Sequence, residues 1–133
     1  MPLFQWGDFT LSSGQKSWWR IDCDAFTDSE IQLFAKLIAE KVGDFTKVVC
    51  PKSHPGSLPP KLVEALKPYA KEASQLKRSY LLVVDDVYTT GASIREVIEK
   101  NQPYYDEVLG AVLFTRTMEG LYPRIFPLFI GNF

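Results

Sequence analysis

The chain has 133 residues, 46% of them hydrophobic and 14% aromatic, so we expect residues 1–133 to form one compact domain. Fifteen basic and sixteen acidic side chains give a net charge of -1, which leaves no bulk attraction to nucleic acid or membranes. The sequence lacks a signal peptide or a membrane-length apolar run, so we expect a cytoplasmic protein. Cys23 and Cys50 show no metal spacing and are expected to be buried thiols that need no disulfide.

The first half of the chain predicts helices alternating with a strand. Residues Asp28–Val42 place apolar side chains at helical spacing behind a capping residue at position 27 or 28. The β-branched run Lys47–Cys50 predicts a short buried strand. After a loop rich in serine, proline and glycine, Pro59 and Pro60 are suited to the first turn of a second helix.

The second half predicts further strands around a third helix. Tyr80–Val84 is continuously apolar, as in a strand covered on both faces, and a helix is expected to follow it up to about Lys100. Glu107–Thr115 predicts another buried strand, and the tail Tyr122–Phe133 is expected to be an edge strand or a docking arm. This order predicts an α/β fold, with a parallel twisted sheet flanked by helices and right-handed crossovers.

The residues that follow Tyr80–Val84 form the candidate site, because ligands of open parallel sheets bind at the carboxyl ends of strands. Asp85 and Asp86 can accept hydrogen bonds from vicinal hydroxyls or hold a divalent cation. The hydroxyls and open backbone of residues 89–93, at a helix N-terminus, favour a phosphate. Both features together match a ribose with a 5′-phosphate. A plain strand end and helix cap is the structural alternative, since Asp, Thr and Ser are common there.

The complete segment Leu81–Ser93, LLVVDDVYTTGAS, resembles the phosphoribosyl pyrophosphate signature of type I phosphoribosyltransferases across all thirteen positions. This resemblance implies a Rossmann-like core, with Asp85 and Asp86 as catalytic residues that also meet Mg²⁺, mainly through the ligand. The residues implied for the ribose and the 5′-phosphate are Asp85, Asp86, Val87, Tyr88, Thr89, Thr90, Gly91, Ala92 and Ser93.

Two further segments resemble orotate phosphoribosyltransferases. Phe9–Ser17, with the aromatic pair and the aspartate that follow, is similar to their opening hood segment, so residues 1–25 are the expected hood. A surface hairpin is the structural alternative there. Arg116, directly after a strand, stands where these enzymes place an arginine against the carboxylate of the base, a pairing that suits a planar guanidinium. Thr115 replaces the usual aspartate, and the alternative for Arg116 is a solvated surface charge.

The loop at residues 51–59 stands where the relatives place their pyrophosphate loop, whose backbone N–H groups can meet a diphosphate. His54, the only histidine, is a candidate general acid or phosphate ligand, or else a simply exposed side chain. The residues implied for pyrophosphate are Lys52, Ser53, His54 and Gly56.

The interval from Gly56 to Asp85 is short for this family, because only 28 residues separate the two. Orotate phosphoribosyltransferases have two further strands there with a mobile loop, whose basic residues and histidine close over the departing pyrophosphate. That flexible-loop region is deleted here, and Ser12 stands where many relatives have a lysine. Charge stabilisation and water exclusion are large effects in such a transfer, so the sequence supports ligand binding better than turnover.

Two functions follow from these patterns. The first is an orotate-type phosphoribosyltransferase, which uses Mg²⁺, moves ribose 5-phosphate from phosphoribosyl pyrophosphate to a nucleobase, and forms a homodimer. The second is a catalytically weak or inactive member that binds a nucleotide or phosphoribosyl ligand for regulation, or supports a partner protein. A phosphate-accepting receiver domain is a weaker third reading, because its acidic pair would follow the first strand.

Overall fold

The computed structural model describes residues 4–10, 16–21, 25–53, 56–115 and 124–130. The first two segments form a two-stranded antiparallel sheet that is irregular between Trp6 and Phe9. The helices and strands are β1 (Phe4–Thr10), β2 (Lys16–Ile21), α1 (Asp28–Val42), β3 (Lys47–Val49), α2 (Leu58–Leu66), α3 (Ala73–Leu76), β4 (Tyr80–Tyr88), α4 (Ala92–Asn101), β5 (Glu107–Thr115) and β6 (Ile125–Ile130).

Helix α1 begins at a capping box, as its sequence predicts. Thr27 Oγ1 accepts a hydrogen bond from the Glu30 N–H at 3.2 Å, and Glu30 Oε1 accepts one from the Thr27 N–H at 2.9 Å. The helix ends at Gly43, whose φ is 80°. At 15 residues α1 is the longest described helix, and none in the described segments has the length and apolarity to span a bilayer.

The main sheet is entirely parallel, with strand order β3-β4-β5-β6. Val83 in β4 pairs with Val49 in β3 and with Gly110 in β5, and Gly110 pairs with Ile125 in β6. This confirms the predicted parallel sheet flanked by helices. The tail of the chain forms an edge strand of this sheet.

The two faces of the sheet are covered by different helices. Helices α1 and α2 pack on one face, and α4 packs on the other. The side chains of α2 that fix it on the α1 face are Leu58, Leu62, Ala65 and Leu66. The connections β3-α2-β4 and β4-α4-β5 each lead to the next strand in the same direction across the sheet. Their helices lie on opposite faces, so one crossover is right-handed and the other is left-handed. The expectation of right-handed crossovers throughout is therefore wrong, because α2 buries its apolar side chains against α1.

The segment between α2 and β4 contains helix but no strand. A 3₁₀ turn, Lys67–Tyr69, continues α2, and the four-residue α3 precedes β4. Lys71 pairs with Asp44 in the loop before β3, which ties this segment to the amino end of the sheet. Because no strand forms between α2 and β4, this segment adds no neighbour to β3. In the described part of the chain β3 therefore lies at an edge of the sheet, which fits the predicted shortening.

Candidate functional site

Strand β4 is longer than its apolar core predicts. The sequence places its end at Val84, but the strand continues to Tyr88, because β5 is equally long and extends the ladder. Asp85 pairs with Val112 and Val87 pairs with Phe114. The two aspartates therefore lie within the strand, near its carboxyl end. They are half-buried, rather than exposed beyond the end of the strand.

The carboxyl groups of Asp85 and Asp86 form a close pair. Asp86 N–H donates to Asp85 Oδ1 at 2.9 Å, and Val87 N–H donates to Asp86 Oδ1 at 2.7 Å. Burial, the charge of Asp86 and a hydrogen bond with the Asp86 side chain together raise the pKa of Asp85 to about 7, although the hydrogen bond from the Asp86 N–H acts to lower it. Near neutral pH the pair therefore holds a proton in a substantial fraction of molecules.

The turn after β4 leads into α4 through a left-handed residue. Gly91 has φ 78° and ψ 8° and is the N-cap, and its carbonyl accepts the first helical hydrogen bond from the Arg95 N–H at 2.9 Å. The Ala92 N–H lies 3.4 Å from Thr90 Oγ1, which is a long hydrogen bond. Thr90, Ala92 and Ser93 are exposed. N–H groups in the first turn of a helix can receive an anion from solvent at such a place.

The loop after β3 reaches the same edge of the sheet. Burial raises the pKa of the Cys50 thiol, a hydrogen bond with Ser53 lowers it, and the charge of Asp85 adds a smaller upward contribution. Ser53 Oγ also donates to the Pro51 carbonyl at 3.0 Å. The thiol therefore lies near the acidic pair, a proximity that sequence reading missed. Parallel pairing of β3 with β4 is the signal that indicates it.

Several predicted site residues can be placed and others cannot. Lys52, Ser53 and Gly56 are exposed in the loop between β3 and α2, and Gly56 has φ 83°. His54 and Arg116 lie outside the described residues, as do residues 1–3, 11–15 and 22–24 of the predicted hood, with Ser12 and Cys23 among them.

A magnesium ion fits this edge only together with ligand oxygens. No group of three or more acidic, histidine or cysteine side chains with metal-holding geometry occurs among the described residues. Asp85 and Asp86 alone supply two carboxylates, and protein-bound Mg²⁺ commonly takes one or two carboxylates plus waters and substrate phosphates. The pair therefore suits a metal that arrives with a phosphorylated ligand.

Comparison with known proteins relates this chain to solved structures. No family model matches the sequence, and no curated protein matches it significantly. Orotate phosphoribosyltransferase from Aeropyrum pernix matches with a TM-score of 0.69 and 24% identity over 96% of this chain and 88% of that chain. The Mycobacterium tuberculosis H37Rv orotate phosphoribosyltransferase, in complex with inorganic phosphate, gives 0.65 and 20% over 96% and 87%.

The UMP synthase of Leishmania donovani also matches, with a TM-score of 0.65 and 21% identity over 96% of this chain and 33% of that longer chain. In all three matches nearly the whole of this chain is covered. The chain therefore has the fold of the type I phosphoribosyltransferases, in a shortened form.

Proposed function

We propose that this protein binds phosphoribosyl pyrophosphate at the carboxyl edge of its main sheet and transfers ribose 5-phosphate to a nucleobase. One observation carries the proposal. A half-buried carboxyl pair, Asp85 and Asp86, is followed within a few residues by the left-handed turn at Gly91 and the open N-terminus of α4. A diol acceptor and a phosphate acceptor thus stand side by side, as one ribose 5-phosphate requires.

The acidic pair would accept hydrogen bonds from the ribose hydroxyls. A carboxylate with one oxygen already bonded to a backbone N–H retains acceptor capacity on both oxygens, so Asp85 and Asp86 can each receive a hydroxyl. The turn at residues 89–93 would hold the 5′-phosphate through N–H groups and hydroxyls. The inorganic phosphate bound to the Mycobacterium tuberculosis enzyme supports phosphate as a ligand for this fold.

The remaining parts of the donor and the base would meet neighbouring loops. Lys52, Ser53, His54 and Gly56 would face the pyrophosphate, and Arg116 the base. Mg²⁺ would be shared between the acidic pair and the donor's oxygens, where it would offset the charge of the leaving pyrophosphate. Among bases, an acidic pyrimidine such as orotate suits the fork of an arginine.

A second function, ligand binding without turnover, is favoured by the segment between α2 and β4. Its described residues contain no strand, so no lid of the kind expected from the orotate enzymes rises from them. Loss of one preorganised charge-stabilising donor costs roughly a hundredfold to a thousandfold in rate. A homodimer, in which the partner supplies cations to the site, would offset that loss.

Two assays on the full chain separate these functions. Calorimetric titration with phosphoribosyl pyrophosphate and Mg²⁺ measures binding, and release of pyrophosphate over several bases measures transfer. Binding with release in the presence of orotate establishes the enzyme, and binding without release under any base establishes the ligand-binding protein. If no binding is detected at any pH from about 6 to about 9, both proposed functions are wrong.

A further inference from the structure

The last residue of β4, Tyr88, packs beneath the turn that leads into α4. Its side chain is 5% exposed and lies in the cluster that α4 forms with the sheet, beside Ile94 and Ile98. A Cβ atom placed on Gly91 would lie 2.4 Å from Tyr88 Cζ and Oη and 2.5 Å from Cε2. The phenol ring therefore packs directly against the Gly91 backbone, in the space that a Cβ atom at this position would need.

This contact leaves the turn little freedom. The ring is buried between β4 and α4, and the close packing around it opposes its displacement by the backbone above it. Gly91 holds φ 78°, a conformation that glycine adopts readily and other residues rarely do. The ring and the glycine thus fit each other, and together they fix where the first N–H groups of α4 point.

We propose that Tyr88 is a positioning residue for the phosphate subsite. Its ring supports Gly91 in the left-handed conformation and so holds the N–H groups of residues 91–94 on one ligand phosphate. This inference rests on the proposed function, because the ligand phosphate comes from there. A turn held in advance loses less freedom on binding, whereas small misplacement of positioning groups can cost about a hundredfold.

The test compares ring-keeping and ring-removing variants with a stability control. Titrations with ribose 5-phosphate and with Mg-pyrophosphate are run on the wild type, Tyr88→Phe, Tyr88→Leu and Val108→Ala. Val108 lies in the same buried cluster but at the amino end of β5, far along the strand from the turn. Its substitution therefore lowers stability without touching the subsite.

We expect Tyr88→Leu to weaken ribose 5-phosphate binding about tenfold or more while Mg-pyrophosphate binding stays within about twofold. Tyr88→Phe and Val108→Ala should both stay within about threefold of the wild type for either ligand. Equal affinity of folded Tyr88→Leu and wild type would overturn the inference, and so would an equal loss in the Phe and Leu variants. If the Leu variant does not fold, Tyr88→Met, which replaces the rigid ring by a flexible chain, takes its place.

A ligand-free measurement separates this inference from the proposed function. Backbone order parameters from ¹⁵N relaxation should fall at Gly91 and its neighbours in Tyr88→Leu and not in Tyr88→Phe. Failure of the wild type to bind ribose 5-phosphate, with this drop present, contradicts the proposed function and leaves the support of the turn by Tyr88 standing. Unchanged order at Gly91 in Tyr88→Leu overturns the inference whatever the ligands do.

Discussion

Aspartates near the two ends of β4 lie in opposite electrostatic settings. At the amino end, exposed Asp106 accepts hydrogen bonds from the Ser79 N–H at 2.7 Å and the Ser79 hydroxyl at 3.1 Å. These bonds lower the pKa of Asp106. At the carboxyl end, burial and the neighbouring charge of Asp86 raise the pKa of Asp85 to about 7.

The fold satisfies the charge of one of these aspartates and not that of the other. Asp106 joins the start of β5 to the residue before β4, so its charge is satisfied within the protein. Asp85 is held half-buried beside a like charge at a cost in stability, and its carboxyl is hydrogen-bonded to the backbone N–H and the side chain of Asp86. Strongly perturbed groups at a sheet's carboxyl edge are typical of functional sites.

Neutralising the acidic pair, Asp85 and Asp86, should have the strongest effect of all, a loss of ligand binding. In the double variant Asp85→Asn with Asp86→Asn, binding of phosphoribosyl pyrophosphate with Mg²⁺ should fall below detection, because each carboxyl becomes an amide whose NH₂ group cannot accept a hydrogen bond from a hydroxyl. The fold should persist, since removal of two repelling carboxylates relieves the cost of burial. Calorimetry measures binding and circular dichroism checks the fold.

Asp106→Asn is the matched control for this variant, because it neutralises an aspartate directly before β5, at the opposite edge of the same sheet. It should retain wild-type affinity for the donor. If the double variant keeps its affinity, or if the control loses it as well, the assignment of the site to the carboxyl edge is wrong.

The next effect is destabilisation by Gly91→Ala. An alanine at φ 78° costs about 1–2 kcal/mol in backbone strain, and overlap with the Tyr88 ring adds about 1–3 kcal/mol. Urea denaturation measures the free energy of unfolding. In a Tyr88→Leu background the ring atoms that meet the new Cβ are absent, so the same substitution should cost only the strain. Additive losses in this double-mutant cycle would show that the ring and Gly91 do not interact.

A smaller effect is a fall in stability between about pH 4 and about pH 7, the window set by the raised pKa of Asp85. Within this window the unfolded chain ionises Asp85 while the folded protein keeps it protonated, so the free energy of unfolding falls as pH rises. The slope contributed by Asp85 is at most about 1.4 kcal/mol per pH unit.

Asp85→Asn should remove this slope, as measured by urea denaturation at several pH values. Among the described residues, Asp86 and Cys50 interact electrostatically with Asp85, and the raised thiol pKa of Cys50 acts only at alkaline pH. The lowered pKa values of Glu30 and Asp106 act at more acidic pH, where they stabilise the fold as their carboxyls ionise. An identical pH dependence in Asp85→Asn would contradict the raised pKa.

The smallest effect is that of Asp106→Asn on stability. Because the folded-state pKa of Asp106 is lowered, its contribution is present at neutral pH and is lost as pH falls through that pKa. We expect a slight drop in Tm at neutral pH that disappears in acid, measured by thermal unfolding. A drop that persists in acid would show that the carboxylate's charge plays no part in holding Ser79.

Much of the fold follows from the sequence, because local patterns decide it. The spacing of apolar side chains in α1 and the continuous apolar runs of β4 and β5 identify these elements. The end of β4 could not be predicted, since pairing with the equally long β5 decides it. The hand of the β3-α2-β4 connection depends on which face α2 buries, a property of tertiary packing.

The candidate site, like the fold, could be predicted from the sequence only in part. The acidic pair and the turn are adjacent in sequence, so their pattern indicates both directly. The nearness of Cys50 to Asp85 and the support of Gly91 by Tyr88 depend on strand pairing and on side-chain packing. Composition and motif spacing carry neither kind of information. Roles predicted for His54 and Arg116 stay predictions, because both lie outside the described residues.

A crystal structure of the protein with phosphoribosyl pyrophosphate and Mg²⁺ would show where the donor binds. We predict the ribose hydroxyls on Asp85 and Asp86, with the 5′-phosphate against the N–H groups of the turn at Gly91. A donor bound elsewhere on the protein, or bound here with its phosphate directed away from the turn, would contradict the account.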